Sequence, residues 1–244
     1  MSEVLAPLPD RFEGMPGMMQ GGYIAALAAG NDERAMRVRI RRPLHPGDVL
    51  SRSTEGDDLL LTRANELVLK GSPSDLHVTD PGIADVNDVR RAAQTPLPFD
   101  IPFPSCVGCG NGHNTLGASI RPLTGTGRMI SLWTPAPEDA DDSGDTPRAH
   151  VWTVTDCITS WSVFVDPPEH VRSAVTGNIA MQFFAELRGG ETYVLQSWRE
   201  RDDERSVICG GAIHHLGGTL IALADQELIG TDGWGMDIPV TALA

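Results

Sequence analysis

The most constraining stretch of the chain is Met15-Pro16-Gly17-Met18-Met19-Gln20-Gly21-Gly22-Tyr23-Ile24-Ala25-Ala26-Leu27-Ala28-Ala29. A Pro-Gly turn and a double glycine lead into a helix expected from about Gln20 to Ala29, which Gly30-Asn31-Asp32 stops. The helix has no polar stripe, and a helix that is apolar all round must be buried all round. A sheet is therefore expected to wrap it. Gly21 and Gly22 also let another molecule approach the backbone closely. The first-turn amides lack intrahelical partners, and with the positive end of the helix dipole they could stabilise an oxyanion. The alternative is that two glycines simply form a tight entry into a core helix.

Working outward, Met36, Val38 and Ile40 alternate with Arg37, Arg39 and Arg41, the period of a half-buried strand with one basic face. His45-Pro46-Gly47-Asp48 turns the chain, and Val49–Arg52, Asp58–Thr62 and Glu66–Lys70 read as further strands. Residues 71–105 are rich in Gly, Pro, Ser and Asp, with a short helix expected from Ile83 to Ala93, and read as a linker. Beyond it the pattern recurs. Arg128–Trp133 is a strand, Arg148–Phe164 a largely apolar helix, and Ile179–Ala185 leads through Gly189-Gly190-Glu191 into Tyr193-Val194-Leu195. Strands Ser206–His214 and Thr219–Glu227 close the chain. Gly47 and Gly190 stand 143 residues apart within the same strand–turn–strand grammar. The expectation is an α+β chain of two fused copies, residues 1–80 and 105–244, joined by 81–104.

Composition bounds the function. The 244 residues suffice for a large core, with 41% hydrophobic and 21% charged residues as in an ordinary globule. No apolar run reaches membrane-spanning length, no signal peptide is visible, and the expected location is cytoplasmic. Four cysteines do not make a disulfide framework, so reduced thiols are expected. A net charge of -14 argues against nucleic acid and membrane surfaces as partners, though not against a phosphorylated ligand on a local basic patch.

Three segments resemble the hotdog-fold thioesterase superfamily, in the double-hotdog, fused two-unit form common in actinobacteria. Pro16-Gly17-Met18-Met19-Gln20-Gly21-Gly22-Tyr23 is similar to the Pro-Gly-x-x-His/Asn-Gly-Gly entry of the hotdog helix. Cys106-Val107-Gly108-Cys109-Gly110 resembles the Cys-x-x-Cys-Gly that opens many hotdog units. The run Val151 to Trp161 resembles the helix carrying the catalytic acid, here Asp156. The resemblance implies two helix-wrapped, curved antiparallel sheets joined into one. It also implies hydrolysis of acyl-CoA or acyl-carrier-protein thioesters, and it leaves room for a homodimer of double-hotdog chains. In the family the helix entry lies nine residues before the acid. Nine after Gln20 is Ala29, and nine before Asp156 is Pro147, followed by Arg148 and Ala149. Neither half is complete, but the halves complement each other, so one working site per chain is expected.

In that reading the thioester carbonyl meets the Gly21 and Gly22 amides, with Gln20 orienting it. Asp156 activates water or attacks the carbonyl directly. Thr159 and Ser160 could hold the water, or could simply bond back to their own helix. Met18, Met19, Tyr23, Trp152 and Trp161 are the expected pocket lining. Arg37, Arg39, Arg41 and Arg42 could receive coenzyme A phosphates or an acidic carrier protein, or could be a solvated strand face. Cys106 and Cys109 with His113 could suggest zinc, but no second ligand pair is visible. Cys157 has no obvious histidine partner for nucleophilic work. The expectation is therefore no metal and no cofactor. A hydratase or dehydratase and a non-catalytic acyl-binding protein stay open as alternatives; the former usually shows Asp-x-x-x-x-His at the helix entry, which is missing here.

Overall fold

The computed structural model describes residues 3–97, 101, 103–112, 115–165, 168, 171, 173–232 and 236–237. His113, the third ligand of the zinc reading, lies outside them. The first half contains strands β1 (Glu3–Val4), β2 (Met36–Ile40), β3 (Ser51–Glu55), β4 (Asp58–Arg63) and β5 (Glu66–Pro73), with helix α1 (Gly21–Ala29). Helix α2 (Val86–Gln94) follows. The second half contains β6 (Arg121–Leu123), β7 (Arg128–Trp133), α3 (Arg148–Val165), β8 (Ser173–Phe183), β9 (Tyr193–Asp202), β10 (Ser206–His215), β11 (Leu220–Thr231) and β12 (Met236–Asp237). The strands form one antiparallel sheet in the order β1-β3-β4-β5-β2-β8-β11-β10-β9-β7-β6, with β12 also on β8. The α+β class and the single joined sheet are as expected.

The central pair is β2 and β8, where Met36 faces Met181, Arg37 faces Ala180 and Val38 faces Ile179. Residues 37 and 180 are 143 apart, the separation of Gly47 and Gly190, which sit at φ 84° and 81° in the matching turns. One offset thus describes both the turns and the register, and a pseudo-two-fold axis passes between Arg37 and Ala180. Met36 is the counterpart of Ile179 under that offset. Met36 pairs with Pro73 and Ile179 with Gln226, so Pro73 is the counterpart of Gln226.

Burial follows the apolar pattern. Gly22–Ala25, Ala28 and Ala29 of α1 are buried, as is every residue of α3 from His150 to Val163. Gln20 is the N-cap of α1, its Oε1 accepting from the Tyr23 amide at 2.7 Å and so satisfying one of the helix's unpartnered first-turn donors. The helices touch where a Cβ on Gly22 would lie 2.1 Å from the Trp152 carbonyl oxygen, so no larger residue fits without moving one helix. The segment expected as a linker carries α2, which starts three residues and ends one residue later than the expected helix. Asp85 caps it by accepting from the Asn87 and Asp88 amides, and Val89 packs with Ala84, Ile130 and Val194 on the sheet face away from α3. No helix among the described residues is long and apolar enough to cross a membrane.

Candidate active site

Asp156 lies in the middle of α3 and is only 6% exposed, against the first turn of α1. An unpaired carboxylate there would be costly, and it is surrounded by donors. Gln20 Nε2 donates to Oδ2 at 2.6 Å. Thr176 Oγ1, from β8, donates to Oδ1 at 2.8 Å, and Gln226 Nε2, from β11, donates to Oδ1 at 2.6 Å. The Gly22 backbone also lies against Asp156. Burial nevertheless prevails and raises the Asp156 pKa to about 6; the Thr176 hydroxyl and the Gly22 amide pull it down, and nearby Cys106 pushes it up. The group therefore titrates close to neutrality, where a general base works best.

The donors are themselves held. Gln226 Nε2 also contacts Thr176 Oγ1 at 2.8 Å and Ser160 Oγ at 3.2 Å, while its Oε1 accepts from the Thr159 hydroxyl. Thr159 bonds back to the Thr155 carbonyl at 2.7 Å. Gln20 Nε2 reaches the Thr153 carbonyl at 3.0 Å. A Cβ on Gly21 would stand 3.1 and 3.2 Å from the two carboxylate oxygens, so glycine keeps the approach to the acid open.

The site opens into a cavity of about 230 Å³ between the halves. Its polar end is Gln20, Gly21, Asp156, Ser160 and Thr176; its walls include Met18, Met19, Leu44, Phe103, Trp161 and Leu228. Such a mainly apolar pocket with a few convergent polar groups is the usual form of a small-molecule site.

The structure brings together Gln20, Gly21, Asp156, Ser160, Met18, Met19 and Trp161 as expected neighbours, with Arg41 and Arg42 exposed at the rim. Others sit elsewhere. Gly22 packs against Trp152 and the Asp156 Cβ of α3. Thr159 points at Gln226 and positions it. Tyr23 stacks on Phe12 with ring centroids 3.9 Å apart, and Trp152 is buried at the helix contact; both are core residues away from the cavity lining. Gln20 holds the acid and its own helix cap instead of being free to orient a carbonyl.

The arginine row divides because β2 ends at Ile40. Met36 and Val38 are buried, so strand alternation sends Arg37 and Arg39 to the opposite face of the sheet, away from the cavity. There Arg37 pairs with Asp225 at 2.6 Å and donates to Asn178 Oδ1 at 2.8 Å. Asp225 is 1% exposed and also accepts from the His77 amide. Arg37 is thus a tie across the middle of the sheet and not a phosphate ligand. Arg39 is exposed on that same face. Arg42 pairs with Glu66 at the surface.

Two residues of the carboxylate shell, Thr176 and Gln226, were not among the expected site residues. A signal existed for one: Gln226 falls on the core-facing phase of β11 between Ala224 and Leu228, where an unpartnered amide would be costly. Thr176 carries no such signal.

No protein-family model matches the chain, and no curated protein sequence matches it. Solved structures do match in fold. The chain is similar to the TesB protein of Mycobacterium avium subspecies paratuberculosis at 12% identity and TM-score 0.61, covering 95% of this chain and 93% of that one. It is similar to a thioesterase, so described provisionally, from Novosphingobium aromaticivorans at 13% identity and TM-score 0.61, covering 95% and 96%. It is similar to an acyl-CoA thioesterase II of Mycobacterium marinum at 15% identity and TM-score 0.57, covering 91% and 92%. The fold is the double hotdog of these thioesterase structures.

Proposed function

We propose that this chain hydrolyses acyl thioesters, carried on coenzyme A or on an acyl carrier protein, at one composite site between its two halves. The observation that carries the reading is Asp156, buried beside an apolar cavity with its pKa raised to about 6 and its two oxygens fixed by Gln20, Thr176 and Gln226. The names of the proteins that share the fold, acyl-CoA thioesterases among them, support the same reaction class.

The acyl chain lies along Met18, Met19 and Trp161, and the carrier's phosphates meet Arg41 and Arg42 at the rim. Of the first three amides of α1, Tyr23's is capped by Gln20 and Gly22's lies against α3 beside Asp156. The Gly21 amide is left for the thioester oxygen as it turns into an oxyanion. Asp156 takes a proton from a water that the Thr176 and Ser160 hydroxyls hold, the water oxygen attacks the carbonyl carbon, and the carbon–sulfur bond breaks. The departing thiolate takes the proton back from Asp156.

The test is a panel of acyl-CoA substrates of increasing chain length, read with a thiol reagent. Wild type is expected to release thiol from part of the panel, and Asp156→Asn to lose about 1,000-fold in kcat/KM while still unfolding in one cooperative transition. Equal turnover by the variant, or no release by wild type, would reject hydrolysis at this site.

A further inference from the structure

Cys106, Cys109 and Cys157 come together beside the carboxylate, although the first two lie on a loop and the third on α3. The Cys106 sulfur is 3.7 Å from that of Cys157 and 3.7 Å from that of Cys109, and all three lie within 4.8 Å of one another. A disulfide needs about 2.05 Å between sulfurs, and none of these pairs is near it. A tetrahedral zinc ion with zinc–sulfur bonds of about 2.3 Å spans sulfurs about 3.8 Å apart. The two closest separations therefore match the edge of a zinc coordination tetrahedron.

The surrounding backbone is shaped for that approach. A Cβ on Gly108 would lie 2.4 Å from the Cys157 sulfur, so only glycine lets the loop close onto α3. A Cβ on Gly110 would lie 2.3 and 2.5 Å from the Pro104 and Cys106 carbonyl oxygens, and its amide closes the turn onto Cys106 O at 2.8 Å. Donors point at the sulfurs: the Gly108 and Cys109 amides at Cys106, the Trp161 indole at Cys109, and Gln20 Nε2 at Cys157 at 3.5 Å. N–H donors aimed at sulfur stabilise thiolate, the form that binds metal. All three cysteines line the cavity.

We propose that Cys106, Cys109 and Cys157 form a three-thiolate zinc site whose fourth position faces the cavity and is taken by water. The sequence hides it, because its third ligand comes from a helix 48 residues beyond Cys109 rather than from a second Cys pair. Zinc there staples the loop that carries Phe103 of the cavity wall to α3. Gln20 touches both Cys157 and Asp156, so the metal and the acid share one positioning side chain. The site stands on the sulfur geometry and holds whether or not the chain is a hydrolase.

The test uses the full chain, purified with its thiols reduced, stripped with a chelator and titrated with zinc or cobalt ions. About one equivalent of zinc should bind, and cobalt should give thiolate-to-metal charge-transfer absorption. Cys157→Ser should weaken binding at least tenfold, while Cys209→Ser, buried in β10, should leave stoichiometry and absorption unchanged. Reduced wild type holding less than about 0.1 equivalent, with no cobalt–thiolate absorption, would overturn the site without reference to any variant. So would Cys209→Ser removing the metal, or a Cys106–Cys109 disulfide forming in preference to zinc uptake.

Discussion

The two ends of the helix pair are related by the pseudo-two-fold and differ in chemistry. At one end Gln20 caps α1, Asp156 faces it from α3, and Gln226 reaches in from β11. At the other, the corresponding positions are Pro147, Ala29 and Pro73, none of which can donate through its side chain or ionise. Arg148 occupies the place of a helix-entry glycine and bonds the Asp32 carbonyl and Glu186. The cleft beside Ala29 is lined by Arg34, Asp32 and Asp57, which pair with one another. The fold asks only for an apolar helix against a sheet, and both halves meet that demand. A buried acid costs stability unless a full set of donors surrounds it, and the chain has kept that set once.

The largest effect should come from forcing the silent end to imitate the other. Ala29→Asp buries a carboxyl with no matching donors and should destabilise by about 3–5 kcal/mol in urea unfolding, without adding a second thioesterase activity. A loss under about 1 kcal/mol would show that donors exist there after all.

Next comes the cost of the acid itself. Its folded pKa of about 6 exceeds the unfolded value of about 3.9, so between those pH values the folded chain holds a proton that the unfolded chain has released. Stability contributed by this group is therefore full below about pH 4 and falls by about 1.4 kcal/mol per unit up to about pH 6, roughly 3 kcal/mol in all. Unfolding of wild type and Asp156→Asn across pH 4 to 8 should show their difference changing in that window and constant above it.

Gln226→Ala removes a donor to Asp156 and unseats Thr176 and Ser160; about a 100-fold fall in kcat/KM with little change in KM is expected, since the amide does not line the cavity. The smallest effect is assigned to Thr176→Val, which keeps the shape and loses one hydroxyl, with about a tenfold fall. Reversal of that order would mean that Thr176, not Gln226, is the main partner of the acid.

How much of this was legible follows from where each partner lies in the chain. The buried α1 could be read because its apolar run is local, and Asp156 because an acid interrupts an otherwise apolar helix. Thr176 and Gln226 are 50 residues apart and meet only through the β8–β11 ladder, which shifts register between Glu227 and Leu228. No local spacing encodes that meeting. The arginine row shows another limit: alternation identified the strand and its two faces, but only the packing of α1 decides that Arg37 and Arg39 look away from the cavity. Cys157 was visible as a residue and not as a neighbour of Cys106, since they are 51 positions apart.

If a single carboxylate, Asp156, does the proton transfer, the pH dependence of hydrolysis of the best acyl-CoA substrate must follow its ionisation. Wild-type kcat/KM should climb about tenfold per pH unit below about 6 and level off above it, and the residual rate of Asp156→Asn should lack that ionisation. A flat wild-type profile from pH 5 to 8, or the same rise persisting in the variant, would contradict it.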